Sequence, residues 1–144
     1  MAEVGSISER LQHLRERAGL SVEDVAVEMD VSLFHLEIAD DEFTCEYSPA
    51  DARRFCQVLN SRPGELFGVS TTEPPISAAE LVHLIGAECH RRKATLEQFE
   101  DAVGWRLSQC MNPPERLLED MSLDGLQWLC RELAIEWRRV MLSL

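Results

Sequence analysis

At 144 residues the chain has length for one ordinary domain or two small ones, and its 45% hydrophobic and 28% charged side chains mark a core-forming protein. A net charge of −12 and a pI near 4.7 exclude a general binder of nucleic acid or anionic membrane. Aromatics at 6%, with almost no β-branched runs, point to an all-α fold.

From the N-terminus, Ser6 and Glu9 have capping-box spacing, and Ile7, Leu11, Leu14 and Ala18 follow at helical intervals up to Gly19. Ser21 opens a second helix with Val22, Val25, Ala26 and Met29 inward and Asp24 three residues after the cap. Asp30 marks the turn that follows, since aspartate tolerates a left-handed backbone better than most residues. A third helix is expected from about Ser32 to Asp40, with Leu33, Leu36 and Ala39 on one face. Ser48, Pro49 and Asp51 supply the cap, the first-position proline and the first-turn carboxylate of a fourth. Its inward face is Ala52, Phe55, Cys56 and Leu59, and residues 63–67 then fold Leu66 and Phe67 back onto the core.

Residues 69–75 lack periodicity and end in Pro74 and Pro75, a linker between a unit at 1–68 and a second at 76–144. Ser77 and Glu80 start a capped helix that reaches about Arg92. Thr95 and Gln98 start the next, with Phe99, Ala102 and Val103 inward and Gly104 as the turn. Trp105 to Met111 reads as a short helix stopped by Pro113 and Pro114, and Glu115 to Asp120 as one further turn. Ser122 caps a long final helix whose apolar stripe is Leu126, Leu129, Cys130, Leu133, Trp137, Val140 and Met141.

The halves can be superposed without gaps by moving residues 21–67 onto 95–141, a shift of 74. Ser21 then meets Thr95, Val25 meets Phe99, Asp30 meets Gly104, Ser48 meets Ser122 and Cys56 meets Cys130. Identities are few, so the case for a repeat rests on caps, turns and apolar positions; two unrelated helical segments could also align this way.

Charge is divided unevenly. Residues 1–75 carry 6 basic and 15 acidic side chains, a net of −9, against 8 and 11, a net of −3, in residues 76–144. Between Ala18 and Ala52 there are ten acids and neither lysine nor arginine. That stretch includes the segment which, in the pattern from Ile7 through Ser32, Phe55 to Leu59 and Pro63 to Phe67, resembles the Cro/C1-type (Xre-like) helix-turn-helix domain. The resemblance covers about residues 6–68 and implies a tandem of two such units if the repeat holds.

In that family the helix matching Ser32–Asp40 enters the major groove, and its exposed positions read base edges, usually through arginine, lysine, asparagine or glutamine. Here the candidates are Phe34, His35, Glu37, Ile38, Asp40 and Asp41, followed by Glu42. Such a face cannot neutralise phosphate, so DNA reading by the first unit is disfavoured. Phe34 and Ile38, one turn apart among acids, either pack inward or serve as apolar anchors for a partner with a groove ringed by basic side chains. On the second reading Phe34, Glu37, Ile38, Asp40, Asp41 and Glu42 form a partner-binding face. The second unit offers an alternative: Arg91, Arg92, Lys93, Arg106, Ser108, Gln109 and Asn112 are residue types that contact phosphates and bases.

Catalytic motifs are missing: the chain has no Gly-rich phosphate loop, nucleophile elbow or H-E-x-x-H. His83, Cys89 and His90 share one helix without a second ligand pair, so neither metal nor other cofactor is expected. Five cysteines without C-x-x-C spacing, no leader-like start and no membrane-length apolar run favour the reducing cytoplasm. Trp128, Trp137, Val140 and Met141 exceed the needs of one small core and are expected between the halves or at a homodimer seam. The sequence thus predicts a non-enzymatic regulator that binds a basic protein, a transcription regulator or nuclease, as antiactivator, adaptor or DNA-mimicking inhibitor. The alternative is an Xre-family repressor that reads DNA through its second unit as a dimer.

Overall fold

Hydroxyl side chains start most of the helices in the computed structural model, which describes residues 6–30, 40–67 and 74–144, with 40–42 given by backbone alone. Ser6 accepts a hydrogen bond from the Glu9 N–H at 3.1 Å and opens α1 (Ile7–Ala18). A reciprocal box between Ser21 and Asp24 opens α2 (Val22–Met29). After α3 (Asp40–Glu46), Ser48 and Asp51 do the same for α4 (Pro49–Val58), and α5 (Pro63–Phe67) closes the half. Boxes at Ser77/Glu80 and Thr95/Gln98 open α6 (Ala78–Arg92) and α7 (Leu96–Val103). A 3-10 turn at Leu107–Gln109 leads to α8 (Arg116–Asp120), and Ser122 caps α9 (Leu123–Glu132) before the short α10 (Arg138–Met141). Each such cap satisfies an orphan N–H and contributes about 1 kcal/mol. The fold is all-α, with no strand among the described residues.

The expected third helix, Ser32 to Asp40, lies outside the described residues except for its last member, which begins α3 instead of ending a helix. Phe43 and Tyr47, one turn apart, explain α3: both are buried and they pack with Phe55 in a triangle of rings 4.9 to 5.7 Å apart. Ala102, expected inward, is exposed, because Phe99 and Val103 alone fill the buried face of α7. The helix expected over Trp105–Met111 is only the 3-10 turn. Arg106 has a non-helical backbone, and the Ser108 N–H donates to the Glu100 carboxylate at 2.7 Å rather than along a helix. The long final helix is broken: α9 stops at Glu132, and Ala134 takes a left-handed φ of 57°.

That break lets the C-terminal segment fold across the molecule. Val140 and Met141 are fully buried, the Trp137 and Phe67 rings pack edge to face with centroids 5.4 Å apart, and α10 packs on α5. These residues are therefore used inside the chain, between its halves. Trp128 remains 37% exposed beside Trp105.

A constant offset runs through the backbone. Moved by 74 positions, α2 falls on α7 and α4 on α9, residue for residue. Six described residues have a left-handed backbone, and they form three pairs at the same offset: Gly19 with Lys93, Asp30 with Gly104, Asn60 with Ala134. Burial follows suit, with Phe43 matching Leu117, Phe55 matching Leu129 and Leu66 matching Val140. The contacts between halves obey the same exchange. α3 packs on α9 and α4 on α8, each the swap of the other, while α5 on α10 maps onto itself. Such self-complementarity is the pattern of an isologous interface. Across it the Leu123 N–H donates to the Tyr47 carbonyl at 2.8 Å; the matching donor would be Pro49, which has no N–H. Apolar residues of both halves join one buried cluster from Ile7 to Met141.

Candidate functional site

α2 presents the clearest surface feature. Val25 and Ala26 bury one side of the helix in the core, which forces the opposite side into solvent. That outer side carries Glu23, Asp24, Glu28 and Asp30, all exposed, with Val27 78% exposed among them. Asp24 is held below the usual carboxylate range by hydrogen bonds from the Ser21 backbone and side chain, so it stays ionised while it caps the helix. Glu23, Glu28 and Asp30 have no ion pair among the described residues. The sequence reading passed over Val27; a valine outside the inward set of an amphipathic helix was the available signal.

Of the six residues expected at a partner-binding face, Phe34, Glu37 and Ile38 lie outside the described residues. Asp40, Asp41 and Glu42 form the first turn of α3 by backbone, and their side chains lie outside the description. Phe43 and Thr44 of that helix, and Tyr47 just after it, are buried, while Cys45 and Glu46 are exposed.

The first half's arginines leave the acidic excess in place. Arg17 pairs with Glu65 through two hydrogen bonds of 3.1 and 3.2 Å, raising the guanidinium and lowering the carboxyl from their ordinary values. Arg15 stands 3.9 Å from Glu16, and Arg54 pairs with Asp51.

The second half's basic candidates are scattered or engaged. Arg91 and Arg92 both donate to Glu88, whose carboxyl is lowered to about 2 by those hydrogen bonds. Arg92 also reaches Glu132 on α9 at 3.2 Å and lies over the Phe99 ring. Lys93 is the left-handed cap of α6. Ser108 is held by Glu100 through both backbone and hydroxyl, at 2.7 and 2.9 Å. Arg106 and Gln109, with Arg116 and Asp120, line an open cleft of about 450 Å³, and Asn112 is exposed beyond it. Arg116 is already bonded to Asp120 at 3.2 Å. These residues do not share one helix face as a groove-reading helix would require.

His83 and His90 are exposed on α6, and no group of three or more potential metal ligands assembles among the described residues. Burial pushes the Cys56 thiol up to about 11 and the Cys130 thiol up to about 12, so both remain protonated near neutrality. All five cysteines are free. No described helix is long and apolar enough to cross a membrane. No family model matches the chain, and neither a curated protein nor a solved structure gives a significant match.

Proposed function

We propose that this chain is a non-enzymatic regulatory protein of helix-turn-helix lineage, built as an internal dimer of two Xre-like units, that binds a basic protein partner through the acidic side of its first half. The lineage is supported by the motif over residues 6–68 and by the recurrence of caps, left-handed turns and buried positions at one offset. One observation carries the partner reading: Val27, an exposed apolar side chain, stands among acids that have no ion pair among the described residues, on a helix within a stretch that lacks lysine and arginine. Apolar contact surrounded by charge is how a polar-rimmed interface is made. The partner is a DNA-binding regulator or a nucleic-acid enzyme, whose basic surface this face would occupy in the manner of an antiactivator, adaptor or inhibitor. The chain's expected setting is the cytoplasm.

The test is charge reversal. Glu23→Lys with Glu28→Lys, and separately Asp40→Lys with Asp41→Lys, are compared with the wild type in affinity capture from the native host, followed by binding of the captured protein in purified form. Capture of a basic protein, weakened by salt and lost in at least one reversed variant at unchanged helicity, supports the reading. Capture indifferent to both reversals refutes it.

A second reading, a repressor that contacts DNA through residues 91–116 as a dimer, draws on the open cleft at Arg106, Gln109 and Arg116. A salt-sensitive gel shift abolished by Arg106→Ala would favour it over the first.

A further inference from the structure

The offset that relates the halves exposes one place where they differ in volume. Between α1, α2 and α4 lies a cavity of about 170 Å³ with a floor of Leu11, Val22, Val25 and Leu59 and a lip of Ser8, Gln12 and Arg15. At the matching positions of the second half, Ile85, Leu96, Phe99 and Leu133, the floor side chains are as large or larger. There Val25 is replaced by Phe99, which is 1% exposed, and Ser8 by Val82, both packed in the apolar cluster. The lip differs too: Gln12 and Arg15 correspond to Gly86 and Cys89. The first half thus lacks a ring and gains polar groups at the mouth of the space the ring would fill.

We propose that this cavity binds a small ligand consisting of a single aromatic ring with an uncharged hydrogen-bonding oxygen, seated as Phe99 is seated in the second half. The volume is close to that of an enclosed apolar cavity of about 150 Å³ that accepts benzene, here with one side open at the polar lip. The lip selects the oxygen. Arg15 gives one N–H to the Leu20 carbonyl at 2.8 Å, and its charge is answered by Glu16 at 3.9 Å, which leaves N–H groups for a neutral acceptor. Gln12 donates its amide N–H to Glu16 at 3.2 Å and keeps its carbonyl oxygen, and the Ser8 hydroxyl can donate or accept. A carboxylate would meet the negative field of a half with net charge −9, and an ammonium group would find no carboxylate among the lining side chains.

Phenylacetamide is the probe, titrated against methyl-labelled full-length protein. Saturable shifts confined to the Leu11, Val22, Val25 and Leu59 methyls, with a dissociation constant on the order of a millimolar for so small a ligand, are expected. Phenylacetate and benzylamine at the same concentrations should bind at least threefold more weakly. Val25→Phe should fold, melt no lower than the wild type and lose the shifts, because the new ring occupies the site. Should that variant fail to fold, Val25→Leu, which adds one methylene, should weaken binding at least threefold. Absence of saturable shifts in the wild type, shifts that survive in folded Val25→Phe, or undiminished affinity in Val25→Leu would each overturn the assignment; so would charged probes that bind as well as the neutral one.

Discussion

Replacing Ala134 with glycine is a test in which the sign of the effect decides. Ala134 holds φ 57°, where a Cβ crowds the carbonyl oxygen and costs about 1–2 kcal/mol. Glycine removes that cost, while the extra freedom it gives the unfolded chain takes back about 0.4–1 kcal/mol. The expected balance is a gain of roughly 0.5–1 kcal/mol, or about 2–3 °C in Tm for a chain of this size. In an unbroken helix the same substitution would cost about 1 kcal/mol instead. Urea unfolding followed by far-UV circular dichroism, with calorimetry for Tm, separates the two. A loss near 1 kcal/mol would show that the final helix runs straight through residue 134. Gly104→Ala is the reverse experiment. At φ 88° an added Cβ meets nothing nearer than Trp128 Cε3 at 3.8 Å, so a net loss of about 0.5–1 kcal/mol, the strain less the reduced freedom of the unfolded chain, reports backbone strain without a clash.

Gly125 sits inside α9, where alanine would ordinarily gain about 1 kcal/mol of helix propensity. Here a Cβ would stand 2.6 Å from Met121 Cγ and 2.9 Å from Trp105 Cε3, and overpacking costs about 1–3 kcal/mol, so Gly125→Ala should lower the urea midpoint; a raised midpoint would mean that both side chains yield freely. The Glu88 carboxyl, at about 2 in the folded chain, lies below its unfolded value. Its contribution is therefore complete above the unfolded pKa, near pH 5, and is lost as pH falls toward 2. Urea midpoints at pH 7, 4 and 3 should fall less steeply for Glu88→Gln than for the wild type, and parallel curves would remove Glu88 as the source.

Local chemistry made much of this fold legible in the sequence. Ser21, Ser48, Ser77, Thr95 and Ser122 each cap the helix expected of them, because a cap depends on residues within one turn. Asp30 and Gly104 take the left-handed turns expected for the same reason. What escaped was decided at long range. Ala134 is an excellent helix former in sequence, and its backbone reverses because Val140 and Met141 bury themselves against the other half. The offset nonetheless held a clue, since Asn60, its counterpart, is a residue that favours such turns. Trp105–Met111 has helical composition, yet Glu100 captures Ser108 from a neighbouring helix. At the candidate surface the acids of α2 are visible as composition and Val27 as a valine outside the inward set; its 78% exposure then singles it out.

The halves use their charges differently, and this sharpens the choice between a protein partner and DNA. Arg92 bridges Glu88 and Glu132 and so fastens α6 to α9, which makes a structural tie of a cation that a DNA reader would keep for phosphate. In the first half Arg15, Arg17 and Arg54 face Glu16, Glu65 and Asp51, so cancelling those pairs leaves an outward charge more one-signed than the net value suggests. A phosphate brought to about 4 Å from one of the remaining carboxylates is repelled by about 1 kcal/mol in water and about 4 at an interface-like dielectric. Salt weakens attraction to a basic protein and to DNA alike, so ionic strength alone does not separate them. Reversal at Glu23 and Glu28 does, because the added lysines should weaken a cationic partner and strengthen any residual affinity for duplex.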